Sequence, residues 1–368
     1  MHHSILHRPG FALFLLLAAG APAQDAPEAP PPAPVPAAPS GATTPAAAPG
    51  PPRATATTTL IAAAPEGGFH YPYLLVEPLP AATSAAGAAE MGAADAARGA
   101  APAAGFLLVE PNNSGRLSDD LAVHLAAARE LARTAIGGYL ARELGVPLLI
   151  PVFPRPETQW ELYTHQLDRD TLAIEDGPMR RLDLQLLAMI SDARGRLASQ
   201  GRPVAEKVLM TGFSASGSFA NRFTAMHPEH VQAVAAGGLN GILILPVESL
   251  GGRALPYPLG VADLAPASGR AFDAATWRNV PQFLYMGALD DNDAVQFDDG
   301  YSAAEKAIVD AVIGAKMQPD RWELCQRIYR EAGADATFRT FKDVGHFTTR
   351  EVNEEIRDFF RAQLAPPR

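Results

Sequence analysis

Residues 207–219 read KVLMTGFSASGSF, and two structural patterns meet inside them. The first residues are of the buried-strand type, and a helix-like pattern follows from Ser214. The sharp turn between them is Gly212-Phe213-Ser214-Ala215-Ser216-Gly217. A serine at the tip of such a turn has a strained backbone and an exposed Oγ, which is how a nucleophile elbow presents its hydroxyl. Small neighbours are a steric requirement there, because strand and helix pass closely. The usual form is G-x-S-x-G, and here its fifth place is Ser216 with Gly217 directly after. The start of the helix would also favour a developing anion. Taken alone, the stretch reads more readily as a tight structural turn, so the rest of the chain has to decide.

On either side of this turn, strand-like and helix-like segments alternate. Strand signals lie at YLLVEP (73–78), FLLVEP (106–111), VPLLIPVF (146–153), VQAVAAGGL (231–239), PQFLYMGAL (281–289) and TFRTFKDV (337–344). Helical patterns run from a Ser118 cap to about Leu144, from Pro178 to Ser199 and from Ser214 to about His227. Others follow Tyr301 and Pro319, and the last spans Thr349 to Gln363. This alternation predicts an α/β fold, a mostly parallel central sheet with helices on both faces. Functional residues are then expected at the C-terminal ends of the strands. Residues 79–105, with 14 alanines in 27, read as a low-complexity loop between two adjacent strands. Residues 240–279 read as a cap-like insert, where ILILP and PYP line an apolar pocket or pack in the core.

The N-terminus stands apart from the folded domain, expected over 55–368. Residues 1–23 carry Arg8, a short apolar run FALFLLLAAG and Ala21-Pro22-Ala23, the features of a secretory signal peptide. About 20 apolar residues are needed to span a bilayer, so export to the periplasm or the extracellular space is expected rather than membrane insertion. A disordered linker follows over 24–54, with 11 prolines between Gln24 and Pro52. A formal charge of −10 argues against nucleic acid or anionic membranes as partners. The single cysteine, Cys325, forms no internal disulfide and reads as a buried apolar side chain.

A hydroxyl nucleophile needs a base, and the base an orienting acid. His346, in KDVGHFTT, follows the last strand. His227 and His230 lie at the far end of the helix after Ser214, His70 precedes a strand, and His124 is mid-helix. His165, in ELYTHQLDRD, is the remaining competitor and, with Trp160 and Tyr163 before it, is expected to reach the cleft. Acid candidates lie in GALDDND after PQFLYM: Asp290 first, with Asp293 as its alternative. An alternating calcium-loop ladder beginning at Asp290 or Asp291 fails at Ala294 or Val295. Ser214, Asp290 and His346 therefore follow three different strands in the order nucleophile, acid, base.

On TGFSASG, GALDDNDAV and VGHFTTREV, the chain from about Thr55 to Leu364 resembles the α/β-hydrolase fold serine hydrolases, notably their secreted esterases and polyester-depolymerase-like members. The resemblance implies Ser214 as nucleophile, His346 as general base and Asp290 as orienting acid. It also implies an oxyanion hole made by the Ala215 N–H and one from the loop EPNNSG, at Asn112 or Asn113. It implies a small or polymeric ester substrate and chemistry that needs neither metal nor cofactor. Amide hydrolysis by the same triad, and a catalytically silent binding domain, are the competing expectations.

Overall fold

The computed structural model describes residues 56–78, 105–239, 242–297 and 300–364. The signal-peptide and linker expectations lie outside these residues, as does the alanine-rich loop except Gly105. An eight-stranded sheet runs in the order β1-β2-β4-β3-β5-β6-β9-β10. Its strands are β1 (Ala56–Ile61), β2 (Tyr73–Pro78), β3 (Leu108–Val109), β4 (Leu148–Pro151), β5 (Val208–Phe213), β6 (Val231–Gly237), β9 (Gln282–Gly287) and β10 (Ala336–Phe341), while β7 (Ser249–Leu250) and β8 (Arg253–Ala254) form a separate hairpin. β1 and β2 pair antiparallel, as do β2 and β4. From β4 through β10 every pairing in this sheet is parallel. The two similar hexapeptides do not become adjacent strands, because β4 lies between β2 and β3. Identical apolar patterns mark both as buried but carry no pairing information.

Six longer helices cover the sheet: α1 (Leu121–Thr134), α2 (Ile136–Leu144), α3 (Leu182–Ser199), α4 (Ala215–Met226), α5 (Trp322–Glu331) and α6 (Arg350–Leu364). Alternate strand residues divide the core in two, as a period of two requires. Leu74, Leu148, Leu209 and Phe283 pack with α1, α2 and α6. Tyr73, Leu149, Met210 and Leu284 pack with α3, α4 and α5. The apolar residues of the 240–279 insert join this second core: Leu243, Leu245 and Tyr257 are fully buried. Tyr257 Oη donates to the Leu167 carbonyl, and the Arg169 guanidinium holds Asp263 at 2.8 Å. ILILP and PYP are thus packing elements of the core.

The single helix expected from Ser118 is two. Asp120 is the cap, accepting from Ala122 N at 2.9 Å, and Ser118 Oγ accepts from Asp120 N. The helix breaks at Ala135, whose ψ is 171°. Just beyond, Gly137 N donates to Glu110 Oε2 at 3.1 Å, so a carboxyl from the end of β3 serves the orphan amide at the start of α2. A Cβ on Gly137 would collide with that carboxyl.

Glu110 is 4% exposed, and burial pushes its carboxyl up to about 8 against the pull of the Gly137 hydrogen bond. The sign of the linkage follows. Between about 4.5 and 8 the unfolded chain has released this proton and the folded chain still holds it, so stability falls as pH rises through that window. Each unit of separation is worth about 1.4 kcal/mol. Glu110→Gln keeps the acceptor and removes the titration. Its Tm relative to wild type is expected to rise from pH 5 to pH 8.5, and a pH-independent difference would contradict the account.

Candidate active site

Ser214 directly follows β5 with φ +61° and ψ −130°, a positive-φ conformation that costs a non-glycine residue roughly 1–3 kcal/mol. The surroundings enforce it. Ser214 N donates to the Gly237 carbonyl at 2.9 Å, and α4 is buried along its length from Ser216 to Met226. A Cβ on Gly212 would strike the Ser216 carbonyl, and one on Gly217 would lie 2.5 Å from the Gly237 oxygen. Gly217 therefore fills the role of close approach to the neighbouring strand. Ser216 is left free for another: its Oγ accepts from Phe213 N at 3.0 Å and donates to Phe213 O at 2.8 Å, clamping the turn. The departure from G-x-S-x-G is a substitution of this clamp for a glycine.

Registers Phe213↔Gly237 and Gly287↔Phe341 end β5 with β6 and β9 with β10, and Gly237↔Tyr285 carries β9 and β10 two residues further at the same edge of the sheet. The loops after β9 and β10 consequently meet. His346 Nδ1 lies 3.0 Å from each oxygen of the Asp290 carboxylate, which is 6% exposed. The His346 ring packs on Phe213 at 4.8 Å between centroids, and a Cβ on Gly238 would sit 3.2 Å from its Cε1. Asp293, the alternative acid, has another partner. It forms a two-pronged ion pair with the fully buried Arg321 and caps the turn at Ala294–Gln296. Gln318 Nε2 donates to the carbonyls of Gly287 at 2.8 Å and Asp290 at 3.3 Å, tying down the same loop.

Asn292 is a member of the site that sequence reading missed. Its Nδ2 lies 3.0 Å from His346 Nε2, so with Nδ1–H donated to Asp290 the ring accepts from this amide. Among the described residues no hydrogen bond joins Ser214 Oγ to His346, and such contacts often tighten only with substrate bound. The Nε2 lone pair has to leave Asn292 before it can take a proton. A neutral hydrogen bond is worth about 0.5–1.5 kcal/mol, so Asn292→Ala is expected to raise kcat/KM about two- to tenfold. Pre-steady-state ester turnover measures this, and a tenfold fall would show that the amide acts in the transition state instead.

The loop after β3 separates the two asparagines. Asn112 is buried and clamps the end of β4, donating to Phe153 O at 2.8 Å and accepting from Phe153 N at 3.2 Å. Asn113 reaches the elbow, with Nδ2 3.4 Å from the Phe213 carbonyl. Ala215 is the first residue of α4, and a first-turn N–H has no acceptor within its own helix. Beside the elbow, Glu110, Asn113, Tyr139, Phe213, Ser216 and Thr348 border a cavity of about 200 Å³.

His165 does not line a cleft. It is fully buried, T-shaped against Tyr163 at 5.2 Å, and burial, with the charges of Arg155 and His124, pushes it down to about 3. Tyr163 is buried with it, and Trp160, from the same segment, is half-buried. A second His–Asp pair exists: His227 Nε2 lies 3.0 Å from Asp183, itself bridged by Arg181. It is fully buried at the far end of α4 from the elbow and tethers α4 to α3. Cys325 is buried in α5, where desolvation pushes the thiol up to about 11.

This sheet order, with a strained serine after β5 and acid and histidine loops after β9 and β10, defines the α/β-hydrolase fold. Solved structures agree. The chain is similar to poly(aspartic acid) hydrolase-1 from Sphingomonas sp. KT-1, with a TM-score of 0.52 and 15% identity over 83% of this chain and 98% of that one. It is similar to the same degree, TM-score 0.52 and 15% identity, to LpqC, a poly(3-hydroxybutyrate) depolymerase from Bordetella parapertussis, over 85% of this chain and 92% of that one. No family model and no curated protein matches the sequence. Among the described residues no helix is long and apolar enough to cross a membrane.

Proposed function

We propose that the chain is an exported serine hydrolase that cleaves carboxylic esters through an acyl-enzyme intermediate. The observation that carries this reading is the His346–Asp290 pair, with 3.0 Å contacts, at the same sheet end as a serine held at φ +61°. Ser214 Oγ attacks the ester carbonyl carbon while His346 Nε2 takes its proton. The tetrahedral oxyanion is held by the N–H groups of Ala215 and Asn113. The alcohol leaves with the proton from Nε2. Water, deprotonated by the same nitrogen, then attacks the acyl-enzyme and the acid is released. Asp290 keeps the proton on Nδ1 and offsets the imidazolium charge.

Neighbours of the same fold include a poly(3-hydroxybutyrate) depolymerase, whose polymer is joined by esters, and a poly(aspartic acid) hydrolase, whose polymer is joined by amides; the first supports a polymeric ester as substrate and the second is why amides are tested beside it. Export rests on the apolar run and Ala-Pro-Ala of the N-terminus. A p-nitrophenyl ester series, from acetyl to long acyl chains, tests the reaction: turnover of at least one member is expected. Turnover of the matching anilides alone would reassign the chemistry to amides, and turnover of neither would leave the silent binding domain.

A further inference from the structure

Two large apolar side chains project into solvent directly beside the proposed triad. Leu289, next to Asp290, is 65% exposed, and Phe347, next to His346, is 53% exposed. The fold brings them together. Leu289 N donates to the Val344 carbonyl at 2.8 Å, and Phe347 N donates to that of Gly345 at 2.9 Å. A Cβ on Gly345 would lie 3.2 Å from the Phe347 ring and 3.7 Å from the Leu289 carbonyl oxygen. Phe297, 59% exposed, lies a few residues further along the acid loop. Exposed apolar residues scattered singly are ordinary, whereas neighbours on the loops of a reaction centre form a patch with a use.

We propose that Leu289 and Phe347 form an adsorption face by which the enzyme lies down on an uncharged polymeric ester, with the chain to be cleaved presented to Ser214. The inference rests on the ester-hydrolase reading and names its substrate class. A small soluble ester is gripped inside a cleft, and outward-facing side chains on the rim add nothing to that grip. A surface that repeats the ester group touches rim and cleft together, and adsorption raises the local concentration of scissile bonds. The charge selects among such surfaces. A chain with a formal charge of −10 is repelled by anionic lipid, while a neutral polyester offers apolar contact without that cost.

Adsorption is measured with Ser214→Ala protein, which leaves the surface undigested, by depletion onto polycaprolactone particles. In that background Leu289→Ser/Phe347→Ser is expected to lower the partition coefficient at least about tenfold, as two apolar contacts are lost. Leu60→Ser, on the edge strand β1 and 41% exposed, removes a smaller exposed apolar side chain elsewhere, to be set against Phe347→Ser alone, and is expected to change it less than about twofold. Phe347→Ser alone gives the same readout with a smaller loss should the double variant not fold. Equal adsorption with and without the pair, or an equal loss from Leu60→Ser, overturns the proposal. So does preferential binding to phosphatidylcholine–phosphatidylglycerol vesicles. An inactive wild type on soluble esters would instead sink the hydrolase reading, which adsorption alone does not touch.

Discussion

Ser214→Ala is expected to lower kcat/KM for p-nitrophenyl esters at least about 10⁴-fold, or about 5.4 kcal/mol of lost transition-state stabilisation. The hydroxyl is the only group of the account that bonds covalently to substrate, and no neighbouring group can stand in for it. Ser216 is committed to Phe213 through both its donor and its acceptor, and is 3% exposed. The fold should survive the change, since among the described residues Ser214 Oγ makes no capping hydrogen bond; the turn is held by its backbone bond to Gly237 and by the Ser216 clamp. Stability should even rise with Ser214→Gly, because glycine adopts φ +61° without the strain that a side chain bears there. Loss of turnover with a higher Tm is the signature of a residue kept for chemistry. Loss of both would mean that Ser214 is a structural turn.

The second large effect separates two aspartates three positions apart. Asp290→Asn is expected to cut kcat about 10⁴-fold with little change in Tm, because an amide no longer fixes the His346 tautomer or offsets its charge. Asp293→Asn is expected to do the reverse. Arg321 is fully buried and Asp293 is its ion-pair partner, so the substitution leaves a guanidinium without its carboxylate. Breaking a buried pair in this way costs about 3–5 kcal/mol. Folded Asp293→Asn protein should keep kcat within about tenfold of wild type, since its carboxylate touches no reacting group. Urea unfolding and ester turnover on both variants measure the contrast, and matching profiles would contradict the assignment of Asp290.

The order of strands along the chain was legible, and so was the placing of Ser214, Asp290 and His346 past three strand ends: Ser214 directly after β5, Asp290 three residues after β9 and His346 five after β10. A parallel sheet carries all such positions to one end. What pairs with what was less legible. YLLVEP and FLLVEP look alike, yet β4 separates them, since sheet order depends on crossover geometry that no local pattern encodes. Asp293 stayed open as an alternative to Asp290 because the feature that distinguishes them, Arg321, arrives 28 residues later. His165 sat in a polar-looking segment, but its neighbours fold around it and bury it completely. Asn292 and Glu110 gave no signal: one acts by meeting His346 across two loops, the other by reaching a helix terminus 27 residues away. ILILP had two readings from composition, and only its burial in the core decides between them.

The most direct test is the reaction of the protein with a fluorophosphonate, followed by intact mass and peptide mapping. The expected result is a single adduct on Ser214, lost in His346→Ala and strongly slowed in Asp290→Asn, because only a serine activated by that pair displaces fluoride. No adduct on wild type, or an adduct whose rate ignores both substitutions, would contradict the assignment of Ser214, His346 and Asp290 as one catalytic unit.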